Sequence, residues 1–407
     1  MSFQQGLSGL NASSRAINSV SNNIANSGTI GFKSATTSFA DVFAASMGSG
    51  NQIGIGTSIA SINQQFTQGN ISVTNNPLDL AINGQGFYRL SNNGAITWTR
   101  NGQFNVDKDG YVVNANGHRL TGYLANASNV IVPSTPAEIY ISTADLQPQA
   151  TGAGGVGLQI GLNLDSRQAV IPAAFNVADP TTYNSSTSAT VYDSLGNSHL
   201  LSLFFKKTAA NTWDLYTTLN GTHLSAATPV VFDSAGALTS PASGIVAQSY
   251  TAAQVGTGAA ALSFPLNLSG STQYGNIFGV NMITQDGYTS GRLSGLSVAS
   301  DGTVQGRYSN GQTRDLAQVV LGNFNNPNGL SSLGNNQWAE TADSGQPLVG
   351  VPGSGSLGMI QSAAVEESNV DLTAELVNMI TYQRMYQANA QSIKTQDSIM
   401  QTLVNLR

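Results

Sequence analysis

The chain has 407 residues, of which 40% are hydrophobic and only 9% charged, against roughly a quarter charged in ordinary globular domains. Its formal net charge is −6 with 15 Lys plus Arg, so it carries no basic footprint for nucleic acid. It has no cysteine, which excludes disulfides, thiolate catalysis and Cys-ligated metals.

The length allows two or three domains. Ser, Thr, Asn, Gln and 44 glycines take the place of the missing charges. Such a surface suits broad protein–protein contacts that vary little with salt, because few ion pairs are there to be screened. The start, Met1 to Leu7, has neither a basic region nor an apolar core, so no cleavable signal peptide is expected. No run of 18 apolar residues occurs, so no membrane insertion is expected.

Along the chain, Phe3, Leu10, Ile17 and Ile24 recur every seven residues, flanked by Leu7 and Val20. That spacing predicts a one-faced helix. Its remaining positions are rich in Asn and Ser, whose side chains compete for backbone hydrogen bonds. The helix is therefore expected to be marginal alone and to need a partner. Asn26-Ser27-Gly28 and Gly31 stop it.

The middle predicts strands. From Phe87 to Leu124 short alternating runs are separated by Asn93-Gly94, Asn101-Gly102, Asp109-Gly110 and Asn116-Gly117, which signal hairpins. Further strands are expected at about 187–238, and at about 296–324 with turns at Asp301-Gly302 and Asn310-Gly311. Gly- and Ser-rich stretches near 147–157 and 252–261 mark a domain boundary. The mirrored pattern suggests nesting. Residues 71–146 and 287–361 would form an inner β domain, and 147–286 an outer β domain inserted in it.

At the C-terminus Leu372, Met379, Tyr386, Ile393 and Met400 again recur every seven residues. The second seam (Leu376, Gln383, Ala390, Asp397, Val404) is mixed in polarity. Ser368-x-x-Asp371 is a cap signal, and Glu366, Glu367 and Asp371 would sit at the positive end of the helix dipole. The expected fold is thus mixed and multidomain. Coiled-coil-like paired α-helical termini (1–30 and 368–407) would flank two mainly antiparallel β domains.

Local motifs give no chemistry. Gly152, Gly154, Gly157 and Gly353, Gly355, Gly358 match dinucleotide-loop spacing, but neither set lies between a strand and a helix. Asn105 to Gly110 resembles the start of a calcium loop, yet its twelfth position is Asn116 where a Glu is required. His118, His199 and His223 are isolated. No catalytic residue, cofactor or metal ligand is assigned, and the chain is not expected to be an enzyme.

Three stretches carry a family resemblance. Ser21-Asn22-Asn23-Ile24-Ala25-Asn26 with Gly31-Phe32-Lys33 resembles the flagellar rod and hook protein family, as does Asn76 to Tyr88. Ser368 to Ile380, Gln383 to Asn389 and Thr402 to Leu406 are similar to that family's closing helix. The length, and the likeness of Ala189 to Asn197 to the hook subunit's outer domain, point to the hook branch. The alternatives are a distal rod or junction protein, and a secreted carbohydrate-binding β protein.

The resemblance implies terminal helices lining an inner tube, an extended linker at 31–70, and β domains stacked outward. The implied assembly interface is Phe3, Leu7, Leu10, Ile17, Ile24, Leu372, Met379, Tyr386, Ile393 and Met400. Implied partners are other copies of the chain, the flagellar rod at the proximal end, a hook-associated junction protein at the distal end, the hook cap, and the type III export apparatus. The implied location is extracellular, reached without a cleaved signal peptide.

Overall fold

The computed structural model describes residues 2–42, 54, 56–126, 129–223 and 227–405. Met1, residues 43–53 and 55 of the expected linker, and Leu406 and Arg407 of the expected C-terminal helix lie outside the described residues. The chain divides into two compact units. The first comprises Met1–Thr143, Gly295–Arg307 and Thr313–Arg407; the second comprises Ala144–Ser294 and Tyr308–Gln312.

The fold is mainly β, with 42% of the chain in strands and 17% in helices. This corrects the expected mixed fold with coiled-coil-like paired termini. One helix comes from each end, Ser2–Ala25 and Leu372–Asn405, and the two make a single pair. A coiled coil would interlock the large residues of both seven-residue stripes. Instead, the side of the N-terminal helix that is buried carries Gly6, Ala12, Ser13, Ala16, Val20 and Asn23. The spacing of the large residues gives a helical period but does not say which face is covered.

In the first unit, one sheet runs in the order Leu293–Val298, Thr303–Tyr308, Thr313–Val319, Arg119–Leu124, Phe87–Asn92, Ala95–Thr99, Gln337–Ala339 and Ser331–Gly334. The hairpin of Phe87–Asn92 and Ala95–Thr99 turns at Asn93 and Gly94, both at positive φ (50° and 94°), as a two-residue turn of the primed type demands. Phe87, Trp98, Phe324 and Trp338 form an aromatic core cluster. Their rings meet edge to face, for example Trp98 and Phe324 at 5.1 Å and 89°, the arrangement their quadrupoles favour.

Chain ends and middle interleave. Ile71–Val73 pairs antiparallel with Ala364–Glu366, and Leu80–Asn83 with Met359–Ser362. Within the expected linker, Ala35–Val42 and Gly56–Gln64 pair antiparallel with each other.

Asn101-Gly102 is not a hairpin turn. Leu80 N–H donates to the Gly102 carbonyl at 2.9 Å, and a Cβ on Gly102 would collide with the Leu80 carbonyl oxygen. Gly102→Ala must therefore push two backbones apart. Overpacking of this kind costs about 1–3 kcal/mol or more, measurable as a lower midpoint in chemical denaturation, whereas Gly28→Ala meets no neighbour and needs no positive φ.

The second unit packs two sheets on one core. Ser185–Tyr192, Ser198–Ala209, Thr212–Leu219, Thr228–Phe232 and Leu238–Ser240 form the first in that order. Ile245–Tyr250, Leu262–Asn267, Leu158–Asn163 and Gly279–Gln285 form the second. Between them lie Leu203, Phe205, Trp213, Ile160, Phe264 and Leu266, each at most 2% exposed. The Asp193 carboxylate, buried in the turn after Tyr192, accepts from Leu195 N and Asn197 N at 2.9 Å and from Thr257 Oγ1 at 2.6 Å.

Candidate assembly site: the helix pair and its joint

The two helices run antiparallel. Asn23 Nδ2 donates to Glu375 Oε1 at 3.0 Å near one end. Gly9 approaches Asn389 and Gly6 approaches Ile393 near the other. Small residues at spacings of three and four on the N-terminal helix allow this close approach. The C-terminal helix has 34 residues and its partner 24, so it continues about 15 Å beyond at 1.5 Å per residue. Its start is capped by Asp371, whose Oδ1 accepts from Thr373 N at 2.9 Å and Ala374 N at 3.1 Å.

The ten expected interface residues are not gathered into one buried seam. Phe3 and Leu7 are 52% and 45% exposed, and Leu372, Tyr386 and Met400 are exposed too. Leu10, Ile17, Ile24, Met379 and Ile393 are half-buried. Of these, Ile393 is brought against the N-terminal helix at Gly6. Beside the pair, a groove of 430 Å³ is lined by Gly9, Ala12, Phe39, Tyr382, Met385 and Ala388; the Phe39 and Tyr382 rings stand 6.2 Å apart.

A polar joint ties the helices to the sheet. Asn23 grips one residue twice, accepting from Ala35 N and donating to Ala35 O, both at 2.9 Å. Asn369 Oδ1 accepts from Ser34 N at 2.7 Å, and its Nδ2 donates to Gln65 O at 2.7 Å.

At the centre lies a buried ion cluster. Lys33 Nζ is 2.6 Å from Glu366 Oε1, and Arg100 Nε is 2.9 Å from Glu366 Oε2. Arg100 Nη2 and Gly69 N also donate to Glu366 Oε1, at 3.1 and 3.0 Å. Both cations also donate to backbone carbonyls: Arg100 Nη1 to Gly84 O and Gly86 O, and Lys33 Nζ to Thr67 O. Burial pushes the Glu366 carboxyl up, but the charges and hydrogen bonds of Arg100 and Lys33 outweigh it and hold it below the usual carboxylate range. Burial, with the charge of Arg100, draws the Lys33 ammonium down against the pull of Glu366.

Glu366 was expected at a helix dipole. It lies instead in the strand Ala364–Glu366, where that dipole plays no part. Lys33, Asn23 and Asn369 fall within the family-like motifs but carried no assigned role, and Arg100 was missed. The available signal was scarcity, since a chain this poor in charge has few cations to pair.

The Gly152–Gly157 loop does cradle an anion, and that anion is its own Asp286. Gly152 N donates to Asp286 Oδ1 at 2.7 Å, and Val156 N and Gly157 N donate to Oδ2 at 3.1 and 3.0 Å. Successive backbone N–H groups aimed at one carboxylate make a nest. Asp286→Ala removes the acceptor, and the expected loss is about 1.5–3 kcal/mol, seen as earlier unfolding of the buried Trp213 by fluorescence. An unchanged midpoint would show the loop is held by other means.

Asp107 Oδ1 likewise accepts from Asp109 N and Tyr111 N, an Asx turn at the calcium-loop-like stretch Asn105 to Gly110. Among the described residues no helix is long and apolar enough to cross a membrane.

Matches to family models place this arrangement among the proteins of the flagellar rod and hook. Residues 3–33 match the flagella basal body rod protein model, and 361–406 the flagellar basal body rod FlgEFG C-terminal model. Residues 81–144 match the flagellar hook protein FlgE/F/G D1 domain, and 163–288 the flagellar basal body protein FlaE D2 domain. The chain is 42% identical over 415 residues to the flagellar hook protein FlgE of Escherichia coli K12, and 43% identical over 418 residues to that of Salmonella typhimurium, in each case over the full length of both chains. The fold resembles the crystal structure of Helicobacter pylori flagellar hook protein FlgE2, with a TM-score of 0.51 and 14% identity, covering 73% of this chain and 99% of that one. The chain belongs to the flagellar hook protein family.

Proposed function

We propose that this chain is the structural subunit of the bacterial flagellar hook, assembling with copies of itself into a flexible helical tube that passes motor torque to the filament. The role is structural, with no catalytic group assigned. The observation that carries the reading is the helix pair: it leaves Phe3, Leu7, Leu372, Tyr386 and Met400 exposed at the two ends of one chain. Apolar residues left wet on both terminal helices gain cover from neighbouring copies. Identical head-to-tail contacts that do not close generate a helical tube.

In this reading residues 1–30 and 368–407 face the tube interior, 31–70 links them outward, 71–146 with 287–361 form the inner β layer, and 147–286 the outer one. Neighbours beyond the homopolymer are the rod below, a junction protein above, the cap during growth and the type III export apparatus. The finished structure is extracellular, and the subunit leaves the cell without a cleaved signal. Electron microscopy of the purified protein, concentrated until it assembles, is expected to show hollow, bendable tubes. Straight rigid tubes would point to a rod component, and persistent monomers at high concentration would refute the reading.

A further inference from the structure

The buried ion cluster of the first unit does not balance. Lys33 and Arg100, whose side chains are 0% and 4% exposed, bring two positive charges against the single negative charge of Glu366. Among the described residues no other carboxylate pairs with either cation. One positive charge is thus left over in the interior, where a charge without a counterpart is costly.

This cluster borders a cavity. Within the first unit a space of 220 Å³ is lined by Phe66, Gln85, Phe87, Arg100, Phe324 and Asn325. It is several times the ~30 Å³ share of one water and below the ~300 Å³ at which drug-sized sites begin. Its walls are aromatic. Phe66 and Phe87 meet edge to face at 5.4 Å and 73°, and Phe87 and Phe324 at 5.9 Å and 70°.

Hydrogen-bond donors remain at this cavity. A guanidinium carries five N–H groups, and Arg100 places four of them, on the two Glu366 oxygens and on the Gly84 and Gly86 carbonyls. The fifth, on Nη2, has no partner among the described residues. Gln85 Oε1 accepts from Asn323 Nδ2 at 3.3 Å, which leaves Nε2 as the donating end of that amide. The exposed Asn325 has no partner for its side chain among the described residues.

We propose that this cavity is a binding site for a small aromatic monocarboxylate. The carboxylate supplies the negative charge the cluster lacks. It accepts from the fifth Arg100 proton, a charge-assisted bond, and from the amides of Gln85 and Asn325. Its ring joins the edge-to-face packing of Phe66, Phe87 and Phe324. The imbalance is one charge, so a monoanion matches it and a dianion would overshoot. All of the site lies in one chain, and the inference does not depend on assembly.

Benzoate is the probe, with uncharged benzamide of nearly the same shape and chloride at equal ionic strength as controls. A ligand that binds only the folded chain raises its stability with concentration. In calorimetry of the dilute full chain the melting temperature of the first unit should rise with benzoate and level off, with half the effect at about 1 mM, an affinity suited to so small a ligand. Benzamide and chloride should leave it unchanged. No response to benzoate overturns the proposal. So does an equal response to benzamide, which would mean apolar filling alone, or to chloride, which would mean salt alone.

Two variants at the exposed Asn325 locate the effect. Asn325→Trp brings a ring into the cavity, and Asn325→Asp brings the chain's own carboxylate to it. Each should melt as a folded protein and weaken benzoate binding about tenfold or more. Should the bulk of Trp disturb the fold, Asn325→Asp, which exchanges one amide for a carboxylate, decides alone. Undiminished benzoate affinity in the folded Asp variant places the ligand elsewhere and overturns the site.

Discussion

Glu366→Ala is expected to destabilise the first unit more than any other single change considered for this chain. It removes the one anion facing Lys33 and Arg100, whose side chains are 0% and 4% exposed. Breaking a buried ion cluster from one side costs about 3–5 kcal/mol, because the charges left behind are neither paired nor hydrated. For a body of this size each kcal/mol shifts the melting temperature by about 2–4 °C, so a fall of about 6–20 °C should appear in calorimetry. A change under about 2 °C would mean that water reaches the cations and the cluster is not closed.

The same cluster fixes a direction with pH. Glu366 is held below its ordinary value in the folded chain, with burial opposing and Arg100 and Lys33 prevailing. A carboxylate depressed by folding contributes stability that is complete above its unfolded value, about 4.3. That contribution is lost as pH falls through the folded value. The first unit should therefore weaken below about pH 4, and Glu366→Gln should flatten that part of the profile. Acid melting identical in both would remove Glu366 from the account.

The second large effect is on assembly with no effect on the fold. Phe3 and Leu7 are already about half exposed, so replacing both by Ser should leave the melting temperature of dilute monomer within the range of ordinary surface changes, about 0.5 kcal/mol. Full burial of such a side chain is worth about 1.5–3 kcal/mol, and half of that remains to be gained at each. The critical concentration for tube formation should rise roughly ten- to a hundred-fold, measured by sedimentation of the polymer. Normal tubes at the unaltered concentration would place these residues outside the interface.

How much of this was legible in the sequence differs by kind of contact. Local chemistry announced itself. The seven-residue stripes marked both helices, and Asn93-Gly94 marked a hairpin that needs two residues at positive φ. The uncharged middle, with its dipeptide turns, was legible as β. What stayed hidden was the choice of partner.

The helix pair meets at Gly6 and Gly9, and glycine on a helix gives no apolar signal. Lys33, Arg100 and Glu366 stand 266 and 333 residues apart in their pairings, beyond any spacing rule. The Asp286 nest was not legible: Gly152, Gly154 and Gly157 match a dinucleotide-loop spacing that lacks the flanking strand and helix, and the anion they hold lies 129–134 residues further on. Asn101-Gly102 misled because a turn dipeptide was assigned by composition, when glycine was required there by the nearby Leu80 carbonyl.

The separation of Lys33 from Glu366 also sets an order of events. A chain made from its N-terminus produces Lys33 near the beginning and Glu366 only after nine-tenths of its length exists. The strands Ile71–Val73 and Leu80–Asn83 wait equally long for Ala364–Glu366 and Met359–Ser362. Until those late strands emerge, closing the first unit would strand a cation in an apolar interior, and bridging so long a loop costs entropy with nothing yet to offset it. The nascent chain can therefore complete the second unit, whose last residue is Gln312, before the first. An unfinished or truncated subunit ending before residue 364 would carry a formed second unit and an open N-terminal segment. The last forty-odd residues act as the clasp that ends that open interval.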